Sequence, residues 1–475
     1  MEPIFNRTKI IATVGPASSS KDMLLKMIRA GVDVFRINLS HGKHEVHQQV
    51  INNIREINAE QGYQVAILAD LQGPKLRVGE MENDGAMLNE TEIVTITTKP
   101  CIGNSKQLFM TYPDFPIDVA IGDVVLIDDG KIKLCVEGTN RKDEVVARVV
   151  HGGILSSRKG VNLPNTKISL PSLTEKDLLD LEFALRNDLE WIGLSFVRSV
   201  TDIVELKHII KTNKKPPRVI AKIEKPEAIL EIDNIIDMAD AIMVARGDLG
   251  VEMPIDQVSL TQKMLVKKCI QASKPIIIAT QMMESMITNF APTRAEVSDV
   301  TNSVLDGADA LMLSGETSVG KYPLKVIEHM QKIIAAVEEN AYLFNREYPP
   351  SIASRTFVSD SICFNACKIA EQSGAKAIVT MTHSGYTGFK IASHRPQASI
   401  FIFTDNVSLL KIMSLVWGIR TFYYDKYEST DKTIADSIAL LQEKGYIKHD
   451  DIVINIASAP IYEKGRANMI KMSYV

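Results

Sequence analysis

Short apolar runs rich in β-branched residues alternate along this chain with stretches whose apolar residues recur every three or four positions. The runs occupy residues 9–14, 32–38, 65–70, 191–197, 218–224, 240–246, 275–281 and 309–314. Helical periodicity fills most of the intervals, at 19–30, 199–211, 226–239, 255–273 and 294–305. Strand runs with few polar residues, each followed by a helix, predict a parallel sheet covered on both faces. Eight such units predict an α/β fold of the closed (β/α)8 type, a TIM barrel. An open doubly wound sheet of eight strands is the competing architecture.

The alternation breaks once. From about 71 to 167 there is no clear helical period, only strand-like pieces at 92–98, 123–127, 132–136 and 145–150. Turns punctuate them at Gly103-Asn104, Asp128-Asp129-Gly130 and Gly152-Gly153. This predicts an all-β insert between the third strand and its helix. Without the insert and the C-terminal part, roughly 240 residues remain, close to the ~250 of a typical barrel of this class. A long helical stretch at 324–344 runs into Pro349-Pro350, a plausible boundary. Beyond it, segments 359–373, 377–381, 386–393, 399–403, 407–417, 433–444 and 451–456 alternate again, as in a smaller α/β domain. The expected organisation is a barrel over 1–70 and 168–345, an all-β domain over 71–167 and an α/β domain over 346–475. No short-period repeat is present.

Composition narrows the class of function. The 475 residues amount to about three domain units of ~150 residues. Hydrophobic residues at 45% and charged residues at 24% exclude a disordered chain, a collagen-like fibre or a coiled-coil rod. The 54 basic and 58 acidic residues give 54 − 58 = −4, too near neutral for broad binding to nucleic acid or a membrane surface. A local basic pocket for a small anion stays open. No apolar run approaches the ~20 residues that cross a bilayer. The start, Met1-Glu2-Pro3-Ile4-Phe5-Asn6-Arg7, lacks the pattern of a signal peptide. Five cysteines without a CxxC pair read as reduced thiols, so the expected compartment is cytoplasmic.

In a (β/α)8 barrel the catalytic groups gather at the C-terminal ends of the strands. Polar residues fall there repeatedly: Arg36-Ile37-Asn38-Leu39-Ser40 after strand two, Asp70 after strand three, and Lys222-Ile223-Glu224 at strand five. Arg246-Gly247-Asp248 closes strand six and Thr280-Gln281 strand seven. Alternation along a strand places Lys222 and Glu224 on one face, and Arg36 with Asn38. A single polar strand end is usually a cap or a surface group; five agreeing strands point to chemistry. Glu224 and Asp248 are hard oxygen ligands on adjacent strands, and so few protein ligands suit Mg²⁺ or Mn²⁺ better than zinc. Lys222 and Arg36 add positive charge for a phosphorylated or enolate-forming substrate. Backbone N–H groups near Gly247 and Asp248 could hold a carboxylate. The set calls for a small, doubly anionic substrate that builds negative charge on oxygen.

These residues resemble the pyruvate kinase family. The stretch Val219-Ile-Ala-Lys222-Ile-Glu224-Lys-Pro-Glu-Ala-Ile229 is similar to its active-site signature. Further matching blocks are Lys9-Ile-Ile-Ala-Thr-Val-Gly-Pro16, Phe35-Arg-Ile-Asn-Leu-Ser-His-Gly42, Met243-Val-Ala-Arg-Gly-Asp-Leu-Gly-Val-Glu252 and Pro292-Thr-Arg-Ala-Glu-Val-Ser-Asp-Val300. Asn162-Leu-Pro164 and Ser314-Gly-Glu-Thr317 extend the likeness over almost the whole chain. The resemblance implies phosphoryl transfer from phosphoenolpyruvate to ADP, giving pyruvate and ATP. It implies Mg²⁺ on Glu224 and Asp248, and Lys222 on the phosphoryl group and enolate. It places Arg36 on the phosphate and Gly247, Asp248 and Thr280 on the substrate carboxylate, with Thr280 in the protonation relay. Arg77 and Lys159, with Asn38, Leu39, Ser40 and His41, would meet the nucleotide. The β insert would act as a lid, and the family suggests a homotetramer.

Two places depart from the family pattern. Members that need K⁺ hold it with Asn, Ser, Asp and Thr groups. Here Asn38, Ser40 and Asp70 are kept, but Leu71 stands where Thr is common and Lys75 replaces a glutamate. A fixed ammonium could stand in for the cation, which predicts activity without K⁺; a merely solvated lysine is the alternative. In the C-terminal part, Thr382, Ser384, Gly385, Tyr386 and Thr387 precede or open a helix, as in a cradle for a sugar-phosphate or nucleotide effector. A plain strand-to-helix turn has the same composition, and Tyr386 occupies a position where the family often has a basic residue.

Rival readings are a Mg²⁺-dependent aldolase or lyase on the same barrel, and a catalytically dead sensor. The first has no need of a β lid or of Arg36, Arg77 and Lys159; the second predicts loss of Lys222, Glu224 or Asp248. His41, His44 and His47 read as a solvated helix face, Cys363 and Cys367 as core, and Met282, Met283 and Met286 as packing. Lys211, Lys214 and Lys215 read as a solvated helix end.

Overall fold

In the computed structural model, which describes residues 5–339, 343–426, 428–459 and 466–475, eight parallel strands close into a barrel. They are β1 (Lys9–Thr13), β2 (Val34–Asn38), β3 (Ala66–Asp70), β4 (Trp191–Leu194), β5 (Arg218–Ile223), β6 (Ala241–Ala245), β7 (Ile276–Ala279) and β8 (Ala310–Leu313). Each pairs with its neighbours in sequence, and β1 closes on β8 with Lys9 opposite Ala310. The open-sheet alternative is thereby excluded. The strands are buried along almost their whole length, as expected where helices cover one face and barrel side chains the other.

Three helices carry or support the barrel mouth: α1 (His44–Gln61), α2 (Glu175–Arg186) and α3 (Arg246–Glu252). A Thr174–Asp177 capping box starts α2 and satisfies its first orphan N–H groups. Left-handed Gly62, at φ 71°, stops α1. The predicted helix over 226–239 is two, Pro226–Leu230 and Ile232–Met238. The predicted 324–344 helix runs over Pro323–Glu338; part of its remainder, 340–342, lies outside the described residues, as do Met1 to Ile4.

Between β3 and α2 the insert folds around its own apolar core. It contains the four predicted strands and four others, Gly85–Leu88, Gln107–Phe109, Gly153–Ser156 and Val161–Asn162. A turn of α-helix, Phe115–Asp118, and a 3-10 turn, Glu82–Asp84, correct the expectation of no helix; Pro116 sits in the first turn of the former, where no N–H is needed. The chain enters and leaves the insert as a paired ribbon, with Val161 N donating to Leu76 O at 3.0 Å and Val78 N to Lys159 O at 2.9 Å.

The C-terminal part is a five-stranded sheet in the order Ile419–Tyr423, Ser399–Thr404, Ala377–Met381, Ile452–Ala457, Met469–Tyr474, with the last strand antiparallel. Helices α4 (Tyr386–Ser393) and α5 (Val407–Ile412) follow its strands. Among the described residues no helix is long and apolar enough to cross a membrane.

His394, just past α4, is buried with its Nδ1 3.3 Å from the Arg346 carbonyl oxygen. Burial pushes its imidazole down to about 4, against the pull of that carbonyl. The folded state therefore binds the neutral ring, while the unfolded chain takes a proton near the ordinary value of ~6.5. Stability is full above that value and is lost as pH falls from about 6.5 toward 4. Melting curves across this window should fall less steeply for His394→Gln than for the parent; equal slopes would contradict the assignment.

Candidate active site

At the C-terminal mouth of the barrel a charged network converges on Lys222. Its Nζ lies 2.9 Å from Glu224 Oε1 and 3.2 Å from Asp70 Oδ1, and donates to Ser195 Oγ at 2.7 Å. Arg36 meets the other oxygen of Asp70, with Nε at 2.7 Å and Nη2 at 2.6 Å, while its Nη1 donates to Thr13 Oγ1. Asp70, Lys222 and Glu224 are all buried. Burial alone would neutralise Lys222, yet Asp70 and Glu224 outweigh it and hold the ammonium above its ordinary value. Burial likewise works against Asp70, and Lys222 with Arg36 reverses the sign, keeping that carboxylate low.

Glu224 behaves in the opposite way. Burial raises its carboxyl, facing Asp248 raises it further, and Lys222 only partly compensates. Its second oxygen accepts the Phe196 N–H at 2.6 Å. Two carboxylates that repel each other across a polar mouth make a donor set that a divalent cation would relieve. Among the described residues no group of three or more His, Cys, Asp or Glu side chains is gathered as a metal cluster. The facing Glu224 and Asp248 carboxylates suit a hard ion that keeps water and substrate oxygens.

Asp248 opens α3, and Thr280 faces it from the end of β7. Gly247 N donates to Thr280 Oγ1 at 2.7 Å, and Thr280 donates to Ala279 O at 2.5 Å. Thr280 and Gln281 adopt positive φ, 69° and 53°, a strained exit that turns the hydroxyl toward α3.

The nucleotide candidates lie on one side of the mouth. Asn38 Oδ1 accepts Ser40 N at 3.1 Å and shapes the turn after β2. Lys176 on α2 fixes Leu39 by donating to its carbonyl at 2.6 Å. The His41 imidazole is held low by burial and then by Arg77, Lys75, Arg36 and Lys176, so five basic groups share this region. Arg77 and Lys159 sit on the ribbon; Arg77 donates to Arg158 O at 3.0 Å and Lys159 pairs with Asp128 at 2.9 Å. Leu71 is buried, and its carbonyl accepts the Ser195 hydroxyl at 2.6 Å. Lys75 reaches Asp248 Oδ1 at 3.8 Å rather than folding onto Asp70.

Two expectations need correction. His44 is not simply solvated: its ring stacks on Phe183 at 4.4 Å and its Nε2 meets Asp180 at 2.7 Å. Tyr386 does not face the C-terminal loop, because its hydroxyl is spent on Asp360. In that loop Thr382 Oγ1 accepts Gly385 N at 3.0 Å, Ser384 Oγ accepts Tyr386 N, and Thr387 is buried against Thr380.

Ser195, Phe196, Thr13 and Lys176 escaped the reading of the sequence. The strand-four run reads apolar through 197, yet β4 ends at Leu194 and Phe196 turns at φ 54°. A hydroxyl just past that strand end, two residues beyond the Gly193 that pairs with Asp70, was the available signal.

A closed (β/α)8 barrel with facing carboxylates, a buried lysine and an arginine at its mouth is the scaffold of an enzyme for small anionic substrates. Two family models match the chain, pyruvate kinase barrel domain over residues 5–327 and pyruvate kinase alpha/beta domain over 360–473. It is 40% identical over 99% of its length to a pyruvate kinase of Geobacillus stearothermophilus, covering 80% of that protein. It is 43% identical over 98% to one of Mycobacterium tuberculosis, covering 97% of it. A solved pyruvate kinase from Cryptosporidium parvum superposes with a TM-score of 0.92 at 33% identity, covering 99% of this chain and 96% of that one. The chain belongs to the pyruvate kinase family and is a phosphotransferase of glycolysis, with phosphoenolpyruvate and ADP as its substrates.

Proposed function

We propose that phosphoryl transfer from phosphoenolpyruvate to ADP is carried by the Lys222 network, the observation being the contact of one buried ammonium with both Asp70 and Glu224. Glu224 and Asp248 would hold Mg²⁺ or Mn²⁺, which supplies Lewis-acid polarisation of substrate oxygens when bound. Lys222 stabilises charge on the transferring phosphoryl group and the enolate oxygen, and Arg36 orients the phosphate. Gly247, Asp248 and Thr280 bind the carboxylate, and the Thr280 hydroxyl takes part in protonating the enolate. Asn38 to His41, Arg77 and Lys159 receive the nucleotide, and the β insert, over about 71–167, closes as a lid that excludes water. ADP-dependent pyruvate formation tests this reading; cleavage without ADP would favour the aldolase or lyase rival.

The Lys75 ammonium brings a fixed charge to the mouth, 3.8 Å from Asp248, and supports turnover without K⁺. Full activity is expected in buffer free of Na⁺ and K⁺, and a strict K⁺ requirement would overturn this reading.

The C-terminal loop takes a sugar-phosphate or nucleotide effector. Support comes from hydroxyls on Thr382 and Ser384 that now occupy the N–H groups of Gly385 and Tyr386, donors an anion would take over. Exposed apolar residues on the barrel helices and loops, among them Ile255, Leu260 and Phe290, suit a homotetramer. Unpaired cysteines, three of them buried, suit a reducing cytoplasm.

A further inference from the structure

We infer that Glu252 is a positioning residue that ties the hinge of the lid to both carboxylate-bearing elements, so that lid closure and divalent-ion binding are coupled. The inference rests on the assignment of the ion to Glu224 and Asp248.

Glu252 ends α3, four residues after Asp248, so one rigid helix holds both carboxylates. Its Oε1 receives two donors, Lys225 Nζ at 2.7 Å and Asn162 Nδ2 at 2.8 Å. Lys225 follows Glu224 directly, and Asn162 is the last residue of the strand that leaves the lid. Three elements therefore meet on one buried oxygen: the segment holding Glu224, the helix holding Asp248, and the returning arm of the ribbon.

The placement within the hinge is specific. Beyond Asn162 the chain is fastened to the barrel by Arg198, whose guanidinium donates to Ile168 O and Leu170 O, both at 2.7 Å. Before Asn162 the chain is bound to the other arm, with Arg77 opposite Gly160. Asn162 itself pairs with Leu126 in the lid sheet. Beyond it Leu163 and Ile168 pack in the lid core, while Thr166 and Ser169 bond Asp123 and Asp118. The Asn162 amide on Glu252 is therefore a contact of the lid with α3. The other arm presents Lys75 to Asp248. Each arm of the hinge consequently has a contact on α3, one at Asp248 and one at Glu252.

The pair is costly as a mere stabiliser. Lys225 and Glu252 are 5% and 4% exposed, and Glu252 Oε2 has no hydrogen-bond partner beside a cavity of about 20 Å³. Buried ion pairs of this kind add little net stability over apolar residues, and their best-attested use is to fix register. Here the register fixed is that of hinge against ion site.

The test is Asn162→Leu, which removes one donor while keeping side-chain volume. Mn²⁺ binding, followed by electron paramagnetic resonance of the free ion, is expected to weaken about tenfold, as for a residue that orients ligands at one remove. The KM for ADP should rise in parallel while kcat stays within about twofold, since coupling moves binding rather than chemistry. Amide hydrogen exchange over 74–78 and 158–162 should quicken, with the barrel strands unchanged. The Lys225→Met/Glu252→Leu double variant keeps the packing and removes the polar hub; it should give the same weakening, and it carries the test if Asn162→Leu fails to fold. Mn²⁺ affinity and ADP KM at parental values in the folded variant would overturn the inference. Glu224→Gln is the control: if it binds Mn²⁺ like the parent, the ion site itself is misassigned.

Discussion

Replacing Lys222 with Met is expected to lower turnover by about a hundredfold to a thousandfold, since loss of one preorganised charge at a developing oxyanion costs ~10²–10³. The structure places this ammonium where nothing nearby could replace it. Arg36 is committed to Asp70 and Thr13, and Lys75 lies out at Asp248. Methionine keeps the length and apolar stem of lysine, so β5 packing should survive. Asp70 keeps Arg36, whereas the buried Glu224 is left with the Phe196 N–H alone, so a loss of stability is expected beside the loss of rate. Steady-state rates with phosphoenolpyruvate and ADP, beside a melting curve, separate the two effects. Near-normal rates in a folded protein would refute the assignment of Lys222.

The barrel was legible because its strands are apolar along their length and its helices periodic, so alternation exposes the topology. The mouth was legible because charges at the ends of five strands conflict with burial unless they act together. What escaped were features that no local pattern carries. The Ser195 hydroxyl hides in an apolar run, and its role depends on Phe196 turning at φ 54°. The short lid strands, such as Val161–Asn162, are held by partners far along the chain. Tyr386 suggested a loop ligand by its position, but Asp360, 26 residues earlier, had already claimed its hydroxyl. Lys75 was identified as a charge of interest, whereas its partner, Asp248, could be found only in three dimensions.

At the opposite end of the barrel, Asp309→Ala is expected to cost about 3–5 kcal/mol, the range for removing one member of a buried ion pair. Asp309 precedes β8, and its Oδ2 accepts Arg395 Nη2 at 2.9 Å and Ile276 N at 3.1 Å. Its Oδ1 accepts Trp417 N at 3.2 Å, so one carboxylate joins the barrel to two segments of the C-terminal sheet domain. Arg395 is 1% exposed and stands 5.0 Å from the centroid of the Trp417 ring, while also donating to Gly307 O and Ala392 O. Without Asp309 its charge keeps only neutral partners, two carbonyls and the Trp417 ring, in a dry site. Calorimetry should then show the transition of the C-terminal domain moving to lower temperature and separating from that of the barrel. Arg395→Met in the same chain should recover much of the loss, because it removes the stranded charge and leaves an apolar chain of similar reach. The double variant distinguishes ion pairing from simple cavity formation: a cavity would make the two losses add. A single-variant loss below about 1 kcal/mol would place the domain contact elsewhere, since that is the range of an ordinary surface pair.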